Sequence, residues 1–428
     1  MITLTPTKTP LQGSIDAPGD KSISHRAIIL GSLAKGNTRI SNFLPSEDCL
    51  YTIKVCQQLG VKINYNQTEV EITGQNLKLK EPSVPLYFGN SGTTARLMLG
   101  VLAGQDFFSS VYGDKYLSER PMKRVVTPLK KMGAIFDGRE NSSLLPLSIR
   151  GSQLHSIRYR IPVKSAQVKS AILLAGLFAK GETTVIEKGK TRDHTEKMLA
   201  SFQAQIQIHE NEITLIDNQL QGTDILIPGD ISSSAYFLVA ALLVPNSHIT
   251  IRNVSLNETR TGILTVLKEM GATFTITNEK MVNHEPVGDI SISHQQISGT
   301  VIEGDIIPKL IDEIPIIALL ATQAEGKTVI RHAEELRVKE TDRIHATVQT
   351  LKSLGAHITE TKDGMIIKGG TSLKGGKVSS YFDHRMAMMA AIASLICQEK
   401  VFIDELDSIN ISYPNFFEHL KQLKKVST

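Results

Sequence analysis

The sequence predicts an α/β protein of two lobes, in which sheets lie outside and apolar helices lie inside. A pattern of strand, helix and hairpin recurs roughly every 70 residues, which indicates a repeat architecture. Helices between the repeats, such as SSSAYFLVAALLV and PIIALLATQA, are apolar on almost every face, as helices of a protein interior are. At 428 residues, the chain is also longer than one hydrophobic core usually grows.

The repeats can be followed along the chain. Each begins with a short strand after a polar or glycine turn, near residues 37, 109, 182, 248, 327 and 400. Five continue into a helix, which in four cases ends on a glycine after Leu or Met, a helix C-cap, and then into a hairpin. The sixth lacks the hairpin, so we expect the N-terminal strands ITLTP and QGSIDAP to complete its lobe.

Three repeats in each lobe place the lobe boundaries near residue 13 and near residue 229, where IPGD interrupts the pattern. The first lobe is then 14–228, and the second lobe combines 1–13 with 229–428. An ordinary α/β protein whose segments are similar by chance is the alternative.

Composition excludes several classes of protein. The net charge of +4, with 5% aromatic residues and no Trp, argues against a nucleic-acid partner. No apolar run is long enough to span a membrane, and the start, MITLTPTKTP, does not have the pattern of a signal peptide. Cys49, Cys56 and Cys397 form no Cys-x-x-Cys motif, and the histidines show no metal-binding spacing. We therefore expect a cytoplasmic protein without a metal or a cofactor.

Two segments predict anion binding at helix N-termini. In APGDKSISHRAIIL, a Pro-Gly turn leads into a helix whose first turns carry Lys21, Ser22 and Arg26. In FGNSGTTARLMLG, the backbone N–H groups of residues 90–93 can face a phosphate or a carboxylate. A plain cap by Asp20 or Ser22 and a tight structural turn are the alternatives.

Other motifs carry charge beside apolar helices. SERPMKRV contributes Arg120, and KSAQVKSAILLAG contributes Ser165 and Gln167; each could also be a polar surface turn. FDHRMAMMAA places His384 and Arg385 at the mouth of an apolar helix, with an Asp383 N-cap as the alternative.

Two acidic motifs offer groups for proton transfer. RVKETDRIHA is predicted to place Lys339, Glu340 and Arg343 on adjoining faces of one helical turn, unless it is only an ion-paired surface. In KLIDEIPIIALL, Asp312 precedes a buried helix, where a carboxylate can act as a base or can simply cap the helix.

Taken together, the motifs resemble those of the 5-enolpyruvylshikimate-3-phosphate synthases. The matching segments, in the family's order, are GDKSISHRA (19–27), GNSGTTARL (89–97), ERP (119–121), SAQVKS (165–170), DEIP (312–315), RVKETDR (337–343) and DHRMAM (383–388). The resemblance covers nearly the whole chain. It implies an inside-out α/β barrel fold of two lobes, each of three βαβαββ repeats around buried helices.

The resemblance also implies the reaction and the residues that perform it. The family transfers the enolpyruvyl group of phosphoenolpyruvate to the 5-hydroxyl of shikimate 3-phosphate through a tetrahedral ketal, without a cofactor. The implied shikimate 3-phosphate ligands are Lys21, Ser22, Arg26, Ser165, Ala166, Gln167, Asp312 and Lys339. The implied phosphoenolpyruvate ligands are Lys21, Gly92, Arg120, Gln167, Arg343 and Arg385. Asp312 is the expected base, with Glu340 and Lys21 for the methylene proton, and Asn90, His384 and Arg192 are possible additional contacts.

This chain departs from the family at two positions. Glu335 and Ile411 stand where many members have Asn and Lys, so those two contacts are not carried over. GDKS, SAQVK, RDHTE (192–196) and NETR (257–260) resemble the class II members, often described as tolerant of glyphosate. The sensitivity of this chain to glyphosate stays open.

Two other functions compete with this one. The related transferase that acts on UDP-N-acetylglucosamine has a Lys-Asn pair and a reactive cysteine loop, and neither is evident here. A non-catalytic phosphosugar sensor would not need Lys21, Asp312 and Glu340, which are groups for proton transfer. We expect a monomer whose partners are the two small substrates.

Overall fold

Short strands and helices alternate along the whole of the computed structural model, which describes residues 1–424. The strands are β1 (Ile2–Leu4), β2 (Gln12–Asp16), β3 (Asn37–Ser41), β4 (Lys62–Asn66), β5 (Glu69–Thr73), β6 (Leu86–Tyr87), β7 (Phe108–Tyr112), β8 (Ile135–Gly138), β9 (Leu147–Arg150), β10 (Arg158–Arg160), β11 (Thr183–Ile186), β12 (Ile206–His209), β13 (Glu212–Leu215), β14 (Asp224–Leu226), β15 (His248–Ser255), β16 (Phe274–Val282), β17 (Glu285–Ser293), β18 (Val301–Ile302), β19 (Lys327–Ile330), β20 (His357–Thr361), β21 (Gly364–Lys368), β22 (Gly376–Val378) and β23 (Val401–Ile403).

The helices fall into those that connect the strands of a repeat and those that lie between repeats. They are α1 (Lys21–Leu33), α2 (Glu47–Gln58), α3 (Gly92–Ala103), α4 (Lys123–Lys131), α5 (Arg139–Ser142), α6 (Ala166–Gly176), α7 (His194–Ser201), α8 (Ile231–Leu243), α9 (Gly262–Glu269), α10 (Ile307–Leu310), α11 (Ile314–Gln323), α12 (Arg343–Ser353), α13 (His384–Ile396) and α14 (Phe416–Leu423). Short 3₁₀ helices occupy Leu117–Glu119, Gly304–Ile306, Glu334–Val338 and Asp407–Ile411.

The first of two units comprises Gly19–Ile227 with Val282–Glu285. It contains three four-stranded sheets, ordered β14-β3-β5-β4, β6-β7-β9-β8 and β10-β11-β13-β12. All three have the same pattern, in which the first strand of a repeat pairs in parallel with an edge strand and antiparallel with the last strand of its own hairpin. The predicted repeat of strand, helix and hairpin is confirmed in this unit.

The second unit comprises Met1–Pro18, Pro228–Met281 and the described residues from Pro286 onward. Its sheets are ordered β16-β17-β15-β2, β18-β19-β21-β20 and β1-β23-β22. β1 pairs antiparallel with β23, and β2 pairs in parallel with β15. The two N-terminal strands therefore both join sheets of the second unit, β1 beside the strand of the sixth repeat and β2 beside the strand of the fourth.

The first boundary between the units differs from the predicted one. The sequence analysis placed residues 14–18 in the first lobe, whereas the structure groups them with the second unit. The cause is β2, which extends to Asp16 along β15, so its ladder of hydrogen bonds holds this segment in the second unit.

The helices between repeats are the cores of the two units. All thirteen residues of α8 are buried, and so are eleven of the thirteen in α1. Helices within repeats, such as α4, bury one face only. Because α8 has no polar face to turn toward water, it is stable only where sheets and other helices surround it. The prediction of helices inside and sheets outside is confirmed.

Helices α3 and α6 pack against each other tightly at a glycine. A Cβ atom on Gly100 would lie 2.3 Å from the carbonyl oxygen of Ala171 on α6. Real Cβ contacts are longer, and backbone cannot yield as a side-chain tip can. Gly100 therefore sets the distance between two helices whose N-terminal ends carry predicted ligand residues.

We expect Gly100→Ala to destabilise the protein by about 1 to 3 kcal/mol, because the added methyl group overpacks the contact between α3 and α6. Helix propensity alone predicts the opposite sign, a gain of up to about 1 kcal/mol. Urea unfolding of the two proteins measures the sign. A variant as stable as the parent would show that this contact adjusts freely.

Candidate active site

The N-terminus of α1 carries the first predicted ligands. Asp20 caps the helix by accepting a hydrogen bond from the backbone N–H of Ile23 at 2.9 Å, so the predicted cap exists alongside the predicted cations. Lys21 is the first residue of the helix, and its Nζ donates to Asp48 Oδ2 at 3.2 Å. Ser22 is half-buried, and Arg26 is buried one turn further on.

The GNSGTT loop holds a second cation in place. Arg120 is buried and donates through Nη2 to the side-chain oxygen of Asn90 at 2.5 Å and through Nη1 to its backbone oxygen at 3.2 Å. Asn90 in turn donates to Asp114 at 2.9 Å. Gly92 begins α3, and a Cβ atom on it would lie 3.1 Å from Nη1 of Arg120. The loop and Arg120 therefore form one polar surface, although the sequence analysis treated them as two separate motifs.

Ser165, Ala166 and Gln167 form the N-terminal turn of α6. Ser165 caps the helix by accepting from the N–H of Val168 at 3.4 Å. The amide of Gln167 accepts from Arg96 at 2.5 Å and donates to the Thr93 hydroxyl at 3.1 Å, so its orientation is fixed. The sequence analysis did not single out Arg96, which contacts the predicted ligand Gln167, although its place in GNSGTTARL, four residues after Gly92 on an apolar helix, was a usable signal.

A chain of hydrogen-bonded hydroxyl groups joins α1 to the loop before α3. His25 Nδ1 lies 2.7 Å from the hydroxyl of Thr52, which lies 2.7 Å from that of Thr94, and Thr94 also donates to Ser91, the cap of α3. Burial, together with Lys21 and Arg26, holds the pKa of His25 well below its ordinary value. A neutral imidazole therefore links α1 to the loop before α3 without adding charge.

We call the ligands predicted in this unit the first cluster: Lys21, Ser22, Arg26, Asn90, Gly92, Arg120, Ser165, Ala166 and Gln167. Arg192 lies in the loop before α7, half-buried. Next to it, Asp193, His194 and Glu285 place ligand-type atoms within 4.8 Å of one another. The ammonium of Lys197 lies 3.4 Å from Asp193 and 3.3 Å from Glu285, so a side-chain cation already contacts both carboxylates.

The predicted residues of the second unit gather around one buried guanidinium, that of Arg343. It donates to Asp383 at 2.8 Å, to Asp312 at 3.1 Å and to Glu340 at 2.7 Å. Lys339 also donates to Asp312, at 3.3 Å. Asp312 is thus held by two cations, and Glu313 rather than Asp312 occupies the N-cap position of α11.

The charge of Arg343 is permanent. Burial alone would lower the pKa of the guanidinium, but the carboxylates of Asp383, Glu340 and Asp312 raise it well above its ordinary value. Three acceptors in fixed directions also prevent the side chain from rotating. Arg343 therefore fixes the positions of the two carboxylates that the sequence analysis singled out for proton transfer.

Arg385 is a second buried cation, at the N-terminus of α13. Asp383 caps this helix by accepting from the N–H of Arg385 at 2.8 Å. The guanidinium donates to the backbone oxygen of Ser232 at 3.1 Å and lies 5.9 Å from the ring centre of Tyr236. His384 is buried, with Nδ1 4.0 Å from Asp383. We call Asp312, Lys339, Glu340, Arg343, His384 and Arg385 the second cluster.

The predicted helical turn through RVKETDR is wrong. The 3₁₀ helix ends at Val338, Lys339 has extended backbone angles, and α12 starts only at Arg343, with Asp342 as its cap. Arg337 stabilises this break, since it donates to Asp342 and Glu360 and to two backbone oxygens of the neighbouring hairpin. Lys339 and Glu340 therefore lie on a tethered loop, and both still reach the Asp312 and Arg343 group.

Comparison with known proteins identifies the family of the chain. The sequence model of the family described as EPSP synthase (3-phosphoshikimate 1-carboxyvinyltransferase) matches residues 6–420. The chain is 55% identical over 427 residues to the 3-phosphoshikimate 1-carboxyvinyltransferase of Oceanobacillus iheyensis, with 99% of each chain covered. It is 53% identical over 420 residues to that of Bacillus subtilis, covering 97% of this chain and 98% of the relative.

A solved structure gives the same result for the fold. An EPSP synthase from Acinetobacter baumannii, 41% identical in sequence, superimposes with a TM-score of 0.88 over 98% of this chain and 97% of its own. The family model spans nearly the whole length, and the relatives match from end to end. The chain therefore belongs to the EPSP synthase (3-phosphoshikimate 1-carboxyvinyltransferase) family.

Proposed function

We propose that the first and second clusters provide the substrate ligands and the proton-transfer groups for the reaction of this family. That reaction moves the enolpyruvyl group of phosphoenolpyruvate onto the 5-hydroxyl of shikimate 3-phosphate and releases phosphate, a step of the shikimate pathway. The observation that carries the proposal is the arrangement around Arg343, whose one guanidinium holds both Asp312 and Glu340. A protein that only binds anions would not need two carboxylates held in this way.

The substrates carry two phosphates and two carboxylates between them, which the proposed ligands match in charge. We assign shikimate 3-phosphate to Lys21, Ser22, Arg26, Ser165, Ala166, Gln167, Asp312 and Lys339. We assign phosphoenolpyruvate to Lys21, Gly92, Arg120, Gln167, Arg343 and Arg385. Asn90, Arg192 and His384 are additional contacts. Charge-assisted hydrogen bonds of this kind contribute about 1.5 to 3 kcal/mol each.

The proposed chemistry needs one base and one acid in each of two steps. Asp312 takes the proton of the 5-hydroxyl while the hydroxyl oxygen attacks C2 of phosphoenolpyruvate. The methylene carbon of phosphoenolpyruvate gains a proton, which gives the ketal. The C–O bond to phosphate then breaks, and the new methyl group loses a proton to restore the double bond. Glu340 and Lys21 are the groups proposed for the two proton transfers at that carbon.

The alternative transferase acting on UDP-N-acetylglucosamine was expected to use a reactive cysteine. All three cysteines of this chain are buried. Burial raises the pKa of Cys56 to about 11 and that of Cys397 to about 12, and it raises the pKa of Cys49 further. A thiol that stays protonated at neutral pH is a poor nucleophile, so these residues support the shikimate substrate.

Phosphate release by the purified protein tests the proposal. Release that requires both shikimate 3-phosphate and phosphoenolpyruvate would support it, with each substrate alone as the control. Release with UDP-N-acetylglucosamine in place of shikimate 3-phosphate would support the alternative transferase. Binding of shikimate 3-phosphate without any release would support the sensor.

Gly92→Ala tests the phosphoenolpyruvate ligands. The added methyl group would lie 3.1 Å from Nη1 of Arg120 and 3.3 Å from Nη1 of Arg96, so both guanidinium groups must shift. Hydrogen bonds from Arg120 to Asn90 and from Arg96 to Gln167 oppose this shift. We expect the KM for phosphoenolpyruvate to rise about tenfold, since small displacements of positioning groups are costly. Steady-state kinetics measures it, and an unchanged KM would exclude Gly92 from the site.

We also propose that the protein is a cytoplasmic monomer, and its three free cysteines fit a reducing compartment. No helix in residues 1–424 has the length and apolar character needed to cross a membrane. Sedimentation at the concentration of the kinetic assay should give a mass near 46.9 kDa.

A further inference from the structure

Arg26 is held by two hydroxyl groups from parts of the chain that lie far away in sequence. Its Nε donates to Thr195 Oγ1 at 2.7 Å, and its Nη2 donates to Ser170 Oγ at 2.8 Å. A third N–H, on Nη1, donates to the backbone oxygen of Ser22 at 2.8 Å. At least three of the five donors of the guanidinium are therefore bound within the protein, and they define the plane in which it lies.

The direction of each hydrogen bond follows from counting protons. Ser170 has one hydroxyl proton, which it donates to the backbone oxygen of Ala166 at 2.7 Å. The 2.6 Å contact between Ser170 and Thr195 must then have Thr195 as its donor. Ser170 accepts from Thr195 and from Arg26, while Thr195 accepts from Arg26 and donates to Ser170. Thr195 thus accepts from Arg26 and also donates to Ser170, the second hydroxyl acceptor of Arg26.

The hydrogen bonds between Arg26, Ser170 and Thr195 are buried, and a neighbouring ion pair supports them. Thr195 and Ser170 are each 1% exposed and Arg26 is 5% exposed, so water cannot readily replace a lost partner. The residues next to them in sequence form an ion pair, in which Lys169 Nζ lies 2.6 Å from Glu196 Oε1. This pair ties α7 to α6 at the level of the two hydroxyl groups. Hydrogen bonds in such a setting are stronger than at a surface.

We propose that Thr195 is a positioning residue for shikimate 3-phosphate, which acts by fixing the plane of the Arg26 guanidinium. This inference rests on the proposed contact between Arg26 and that substrate. Thr195 itself needs no contact with the substrate. The RDHTE segment, which resembled class II members and supplies Arg192 as a proposed contact, thereby also contributes its threonine to substrate affinity through Arg26.

The test compares Thr195→Val, which keeps the shape and removes the hydroxyl, with Thr195→Ser, which keeps the hydroxyl. Calorimetry measures the Kd of shikimate 3-phosphate. We expect Thr195→Val to raise this Kd about tenfold, the equivalent of one charge-assisted hydrogen bond. Thr195→Ser should stay within about threefold of the parent, and kcat at saturating substrates should change little in either. Ser170→Ala, which removes the Nη2 partner and the acceptor of the Thr195 hydroxyl, should weaken binding in the same direction.

Thr183→Val is the matched control. Thr183 is equally buried in the same unit, and its hydroxyl has no hydrogen-bond partner among the described residues. The same chemical change there should leave the Kd unaltered. Thermal unfolding of every variant separates a loss of affinity from a loss of folded protein.

Arg26→Lys separates the inference from the proposed function. A lysine cannot reproduce the planar fork of a guanidinium, so we expect clearly weaker binding. If Arg26→Lys weakens binding and Thr195→Val does not, Thr195 has no positioning role and the proposed ligand survives. If Arg26→Lys binds normally, the proposed contact and the inference both fall. In a variant that combines Arg26→Lys with Thr195→Val, the losses of binding free energy should not add, because both substitutions disrupt one interaction. Additive losses would overturn the inference.

Discussion

Asp312→Asn is expected to lower turnover by about 10² to 10⁴ and to leave the protein folded, because the substitution removes the proposed base. The amide has nearly the same shape as the carboxylate and can still accept from Lys339 and Arg343, which hold the carboxylate at 3.3 and 3.1 Å. It cannot accept a proton from the 5-hydroxyl. Single-turnover measurement of phosphate release reports the chemical step directly.

Two measurements distinguish the loss of a base from a loss of substrate binding. Calorimetry with shikimate 3-phosphate should show a much smaller effect on binding than on turnover, since Arg343 keeps its bonds to Asp383 and Glu340. Asp407→Asn applies the same chemical change at an exposed residue of the same unit and should be kinetically silent. Turnover near the parent value in Asp312→Asn would remove Asp312 from the role of base.

Lys169→Met is expected to destabilise the protein by about 3 to 5 kcal/mol at pH 8, because it breaks a buried ion pair and leaves the acidic partners uncompensated. Lys169 is fully buried, and its ammonium lies 3.1 Å from Glu187 and 2.6 Å from Glu196. Methionine fills a similar volume, so the loss reports charge rather than a cavity. Lys188→Met, at an exposed lysine next to Glu187 in sequence, should change the free energy of unfolding by less than about 0.5 kcal/mol.

The loss in Lys169→Met should also depend on pH. Burial raises the pKa of Glu196, and Lys169 opposes that rise. When the folded pKa lies above the unfolded value of about 4.3, the unfolded state loses its proton first as pH rises, so stability falls over the interval between the two values. Removing Lys169 widens this interval. Urea unfolding should therefore show a smaller loss at pH 5 than at pH 8, and equal losses would mean that Glu196 does not take up the proton.

Local pattern in the sequence was enough to predict much of the fold. Short strands, glycine caps and hairpin turns each depend on neighbouring residues, and the all-apolar character of α8 already requires burial. The extent of β2 was harder to predict from the sequence, because its length depends on pairing with β15, more than 230 residues away.

The residues of the candidate site could likewise be predicted only in part from the sequence. By itself, the sequence determined which residue types gather at the helix N-termini and the family to which their order belongs, because charge and capping are properties of short segments. Only the tertiary structure decided their partners. Arg343 collects Asp312 and Asp383, Arg26 meets Thr195 across 169 residues of sequence, and RVKETDR breaks into a loop because Arg337 is tied to a hairpin. Such contacts form between segments that are distant in sequence, where no local pattern records which donor will meet which acceptor.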